Sequence, residues 1–125
     1  MGGDKLGSRM TYGNYLQLDK LLTLQSGPDG HDPLPSNHEM HFIVVHQAFE
    51  LWFKQINREL EDTLQLMNND EIDETNIPVI VRHLERCSEI FRLLASQWKV
   101  METLSPQDFL AFRDRLGTSS GFESW

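Results

Sequence analysis

Apolar residues recur every three or four positions along each stretch of this chain long enough to form regular structure, and β-branched alternation is nearly absent. That spacing follows the turn of a helix, about 3.6 residues, whereas a half-buried strand alternates every second residue. The 125 residues are therefore expected to form one all-α domain, a helical bundle.

The pattern resolves into four helices. The first runs from Tyr12 to Gln25 and is stopped by Ser26-Gly27-Pro28-Asp29-Gly30. A proline- and glycine-bearing loop continues to Ser36. The second helix is long, from Asn37 to Asn68, with Asn37 as its cap. Its apolar stripe is Phe42, Val45, Phe49, Trp52, Ile56, Leu60, Leu64 and Met67, opposite a wet face of Lys54, Asn57, Arg58, Glu61 and Asp62. The turn Phe42-Ile43-Val44-Val45 is apolar all round and is expected to be buried on every side. The third helix begins near Ile77-Pro78, capped by Thr75 or Asn76. It carries Ile77, Ile80, Leu84, Cys87, Phe91, Leu94, Trp98 and Met101 as its core stripe. Ser105-Pro106-Gln107-Asp108 opens a short fourth helix ending at Gly117. A hydroxyl-bearing loop follows to Trp125.

Composition excludes several functions. A net charge of −8 and a pI near 5.0 leave no basic face for nucleic acid or for an anionic membrane surface. Cys87 is the only cysteine, so neither an internal disulfide nor a cysteine zinc site is available. Residues 1–9 are polar and read as a disordered arm or tag, which leaves 10–125 as the folded part and a cytoplasmic location as the default.

Few residues are candidates for chemistry. Phe42 and His46 are four apart and share one helix face. His46 lies among apolar residues, where an imidazole either satisfies a core partner or directs one hydrogen bond at a ligand. Arg113, on an aromatic-bearing segment, either bridges to Asp114, Asp108 or an acid on another helix, or forks onto a ligand carboxylate. Ser119-Ser120-Gly121 offers hydroxyls and a close backbone approach, as many ordinary loops do. His38 and His41 are three apart at a helix start, where a solvated end competes with a metal site. There is no phosphate-binding glycine motif, zinc-spaced His pair with an acid, or nucleophile elbow.

Three segments together resemble one family. They are Met10-Thr11-Tyr12-Gly13-Asn14-Tyr15-Leu16-Gln17-Leu18-Asp19, the run His38 to Lys54 centred on Phe42-Ile43-Val44-Val45-His46-Gln47-Ala48-Phe49, and Phe112-Arg113-Asp114-Arg115-Leu116-Gly117-Thr118-Ser119-Ser120-Gly121-Phe122-Glu123-Ser124. In that order and at those separations they resemble the tryptophan 2,3-dioxygenases, across almost the whole chain from Met10 on. The resemblance implies an all-helical haem fold, usually a homotetramer. It implies insertion of both atoms of dioxygen into the indole C2–C3 bond of L-tryptophan, giving N-formylkynurenine, the first step of tryptophan catabolism by the kynurenine pathway. His46 would hydrogen-bond the indole N–H, as the residue closest to a catalytic role. Phe42 and Phe109 would wall the indole, and Arg113 would clamp the carboxylate. Phe42, Ser120 and Gly121 would lie against haem b. Tyr12, Tyr15 and Leu16 would reach a neighbouring subunit's pocket.

The sequence departs from the family where the iron is held. The family's axial histidine comes later in the chain, and none of His31, His38, His41 and His83 matches it. The resemblance thus implies no metal ligand in this chain, and activity only with a C-terminal half, which a separate chain could supply. Phe109 stands where some members have Tyr, and Glu123 where Gln is common. A non-catalytic tryptophan- or haem-binding paralogue and a haem monooxygenase acting on tryptophan remain open as alternatives.

Overall fold

The computed structural model describes residues 9–26 and 34–124. The expected arm lies almost wholly outside them, as does the centre of the first loop. Every regular element among the described residues is helical, and no helix is long and apolar enough to cross a membrane. The elements are α1 (Tyr12–Leu16), α2 (Leu18–Leu21), α3 (Asn37–Leu66), α4 (Ile77–Met101) and α5 (Pro106–Leu110), with 3-10 turns at Glu74–Asn76, Arg113–Leu116 and Gly121–Glu123.

The frame is a hairpin of α3 against α4. Phe49 on α3 meets Trp98 on α4 with ring centroids 5.3 Å apart, and Glu59 meets His83 at 2.6 Å. Rising numbers on one helix face falling numbers on the other, so the two are antiparallel. Their core is Val45, Phe49 and Ile56 packed on Cys87, Ile90 and Leu94, with Trp52, Phe53 and Met101 at its edge. Burial pushes the Cys87 thiol pKa up, with the charge of Glu59 adding to the effect.

Both expected stripes need correction. On α3 the apolar steps of four carry Leu60, Leu64 and Met67 round to solvent, while the buried line continues from Ile56 through Glu59 and Thr63. Glu59 can occupy that line because α4 supplies partners for its charge. The α4 stripe is really two lines with a seven-residue spacing. Ile80, Cys87, Leu94 and Met101 face α3, whereas Ile77, Leu84, Phe91 and Trp98 remain open. Among the described helices α4 packs mainly against α3, which covers one of its two lines. The turn Phe42–Val45 on α3 is not enclosed all round either: Val45 is buried, Phe42 and Ile43 are half-buried and Val44 is exposed.

Helix ends also differ in detail. The expected first helix breaks at Gln17, whose φ of 54° places it in the left-handed region. Ser36, rather than Asn37, caps α3 by accepting from the Glu39 amide at 3.1 Å. Before α4, the side chain of Asp73 caps the Glu74–Asn76 turn, and neither Thr75 nor Asn76 caps the helix with its side chain. The expected fourth helix is only α5 followed by the Arg113–Leu116 turn, and Gly117 then takes a φ of 59° that favours glycine.

Ser105 opens α5 with a reciprocal cap: its hydroxyl accepts from the Asp108 amide at 3.1 Å, and its own amide donates to Asp108 at 3.3 Å. These contacts with Ser105 hold the Asp108 carboxyl below its ordinary pKa, with His38 at 3.5 Å adding to the effect. Ser105→Ala is expected to lower stability by about 1 kcal/mol. Chemical denaturation would check this; an unchanged midpoint would show that α5 is held by packing alone.

Candidate functional site

The first half of α3 is the wall shared by three depressions, and His46 lines all of them. The first is a cleft of 470 Å³ between α3 and the segment 116–124, floored by Phe42, Ile43 and His46 and closed by Leu116, Ser119, Ser120 and Gly121. The second is a trough, also of 470 Å³, between α3 and α4, walled by Phe49, Phe53, Phe91, Leu94, Trp98 and Met101. Cleft and trough share His46, Glu50, Gly121 and Ser124. The third is a groove of 660 Å³ under Leu21 and Leu24.

Four rings cluster at the Phe42 end of the cleft, and of these Phe42 and His46 line it. Phe42 lies 4.4 Å from the His46 ring, 5.6 Å from Phe109 and 5.3 Å from Phe112, and Phe109 and Phe112 meet edge-on at 5.4 Å. These tilted and edge-on arrangements are the ones that aromatic quadrupoles favour. Phe112 is the buried member, at 4% exposure, and it pins the chain after α5 to α3.

His46 is exposed, not enclosed as its apolar neighbours in sequence suggested, because cleft, trough and groove all open beside it. Its Nδ1 is 2.8 Å from the carbonyl oxygen of Phe42. A carbonyl only accepts, so Nδ1 carries the hydrogen and donates it. In the neutral ring Nε2 is then a bare acceptor. The arrangement can hold a flat apolar ring and accept one N–H from it. No hydroxyl or thiol among the described residues is hydrogen-bonded to His46 for it to activate.

The segment bearing the serines is tied in place. The Ser120 side chain accepts from the Phe122 amide at 3.2 Å, and Glu123 accepts from the Ser120 amide at 2.8 Å. Ser124 donates to Glu50 on α3 at 2.6 Å. On the other side of His46, Gln47 donates to the Leu24 carbonyl at 2.8 Å and accepts from Gln25 at 2.9 Å, which latches the chain after α2 onto α3. Among the described residues, no three His, Cys, Asp or Glu side chains gather as a metal site.

A model of the tryptophan 2,3-dioxygenase family matches residues 2–125. The chain belongs to that family. It is 44% identical over 125 residues to a tryptophan 2,3-dioxygenase of Anopheles gambiae and 43% identical to one of Aedes aegypti, each alignment covering 98% of this chain. It is also 43% identical over 115 residues to the tryptophan 2,3-dioxygenase 2 of Ralstonia nicotianae, covering 92% of this chain. The chain spans about a third of the length of these curated relatives.

Of the positions singled out through family resemblance, the structure brings Phe42, His46, Ser120 and Gly121 around one cleft, with Phe109 packed against Phe42 rather than lining it. Arg113 is exposed and is not among the residues lining it. It does lie three residues before Leu116, which lines the cleft, and residues three apart eclipse on a 3-10 turn. Tyr12 and Tyr15 are 77% and 73% exposed, and they and Leu16 line none of the three depressions.

Sequence reasoning missed the charged anchors. Glu39 is 2% exposed, and its Oε2 lies 3.2 Å from Nε of Arg115. Glu59, equally buried, is held by His83 at 2.6 Å, Arg86 at 3.1 Å and Gln55. A signal for the second existed: a continuation of the α3 stripe by steps of three and four from Ile56 arrives at Glu59 and Thr63 as readily as at Leu60.

Proposed function

We propose that this chain forms the substrate side of a haem-dependent dioxygenase that cleaves the indole C2–C3 bond of L-tryptophan to N-formylkynurenine, working with the remainder of a family-length protein. The observation that carries the reading is His46, whose Nε2 is left as an acceptor at the junction of an aromatic cleft and an apolar trough.

Each residue follows from its chemistry. The indole lies in the cleft against Phe42 and Phe109, and its N–H donates to Nε2 of His46. Arg113 forks onto the substrate carboxylate, a desolvated contact worth roughly 1.5–3 kcal/mol. His46 orients the ring and need not remove a proton. Apolar walls exclude water and fix the reacting carbons. Tyr12, Tyr15 and Leu16, exposed here, complete the pocket of a neighbouring subunit in a homo-oligomer, a tetramer in this reading.

The trough fits the edge of a haem. Its walls are Phe49, Phe53, Phe91, Leu94, Trp98 and Met101, with Ser120 and Gly121 at the junction with the cleft. Its histidine, His46, is tied through Nδ1 to the Phe42 carbonyl. His83 is committed to Glu59, and His38 lies beside Asp108. In this reading the iron's histidine is the one that the family resemblance places later in a family-length protein. When bound, haem supplies the oxygen chemistry.

The test is product mass, with haem, reductant, oxygen and L-tryptophan supplied to the chain together with the family's remaining portion. A product carrying two added oxygen atoms is expected. One added atom would make the protein a monooxygenase, and none would leave a binding module.

A further inference from the structure

We infer that the buried ion pair of Glu39 and Arg115 is a positioning device that fixes the heading of the turn carrying Arg113 beside the cleft. The inference rests on the reading of Arg113 as the carboxylate clamp.

Glu39 sits in the first turn of α3. Its backbone is fixed by the Ser36 cap, and Phe42, the central ring of the cleft, is one turn further along. Its side chain lines the cleft and is 3% exposed, while that of Arg115 is 18% exposed. Nε of Arg115 is 3.2 Å from Oε2 but off the line of a hydrogen bond, and Nη2 of Arg115 is also enclosed without a hydrogen-bond partner. Such a pair is a poor stabiliser, because desolvation offsets most of its attraction. What it does is define an orientation. On the Arg113–Leu116 turn, successive side chains are about 120° apart. With Arg115 drawn inward to Glu39, Arg113 and Leu116 eclipse on another side, and Leu116 lines the cleft. If Arg115 is released, the turn keeps Phe112 and its own backbone bonds but loses its charged anchor, and Arg113 loses its fixed heading.

Two measurements test this. In the chain itself, Glu39→Gln keeps the size of the side chain and removes its charge. Amide exchange at Arg115 and Ser119, whose amides bond the Phe112 and Leu116 carbonyls at 3.0 and 3.1 Å, should accelerate roughly tenfold or more, while exchange around Ile56 stays unchanged. Unchanged exchange at the turn overturns the proposal. In the tryptophan-binding assembly, Glu39→Gln should weaken L-tryptophan about tenfold and tryptamine little, and Arg115→Lys, which keeps the charge, should retain more affinity than Arg115→Met. A purely structural pair would weaken both ligands alike, and that result also overturns the proposal. Arg113→Ala run in parallel separates the two readings. If it is silent, the clamp assignment fails; if it is strong while Glu39→Gln is silent, the positioning assignment fails.

Discussion

Arg113→Ala is expected to lower L-tryptophan affinity by about ten- to a hundredfold and to leave tryptamine almost unaffected, in any assembly that holds a complete pocket. The size follows from desolvation. A carboxylate brought against the aromatic cleft loses its water, and without the guanidinium it stays buried and unpaired. Tryptamine has no carboxylate, so it should bind the parent weakly and lose little more. Haem uptake should hold, because the trough is built from Phe49, Phe53, Phe91 and Trp98 and does not include Arg113. Calorimetric titration of both ligands against parent and variant reads this directly. Equal loss for the two would point to a collapsed turn, and no loss would return Arg113 to an ordinary surface role.

The helical class was legible because it depends on spacing, and spacing survives without a partner chain. The second helix emerged within two residues of both ends, and the third at its start, for the same reason. What could not be read was which apolar line is covered. Ile80, Cys87 and Leu94 look no different in sequence from Leu84, Phe91 and Trp98, and only the packing of α3 decides between them. The break at Gln17 was hidden because a left-handed residue other than glycine leaves no mark in an apolar pattern. The aromatic wall and His46 were legible as a four-residue step on one helix. The joining of Phe109 to them needed the fold. The charged anchors stayed hidden because an acid in a stripe reads as solvated until its partners, 24 and 27 residues away for Glu59, are in place.

Those anchors lead to the other large effect. Emptying the clasp around Glu59 is expected to cost more than removing Glu59 itself. The carboxylate is 2% exposed, whereas Arg86 is mostly in solvent and His83 is partly so. His83→Leu combined with Arg86→Met would leave the charge buried with only Gln55, a loss of about 3–5 kcal/mol. Glu59→Met removes the buried charge, leaves two groups that water can reach, and should cost about 1–2 kcal/mol. The same clasp sets an acid limit. The hydrogen bond from His83 is the largest cause of the fall in the Glu59 pKa from its ordinary 4.5 to about 2, with Gln55 and Arg86 adding to it against the opposing cost of burial. A depressed folded-state pKa stabilises fully above the unfolded value, and that contribution drains away as pH falls from about 4.5 toward 2. Urea midpoints between pH 6 and pH 2 should therefore drop steeply for the parent and more shallowly for Glu59→Gln. Parallel curves would mean that other carboxylates set the acid limit, and a smaller loss for the double variant than for Glu59→Met would remove the clasp from the energetics of the hairpin.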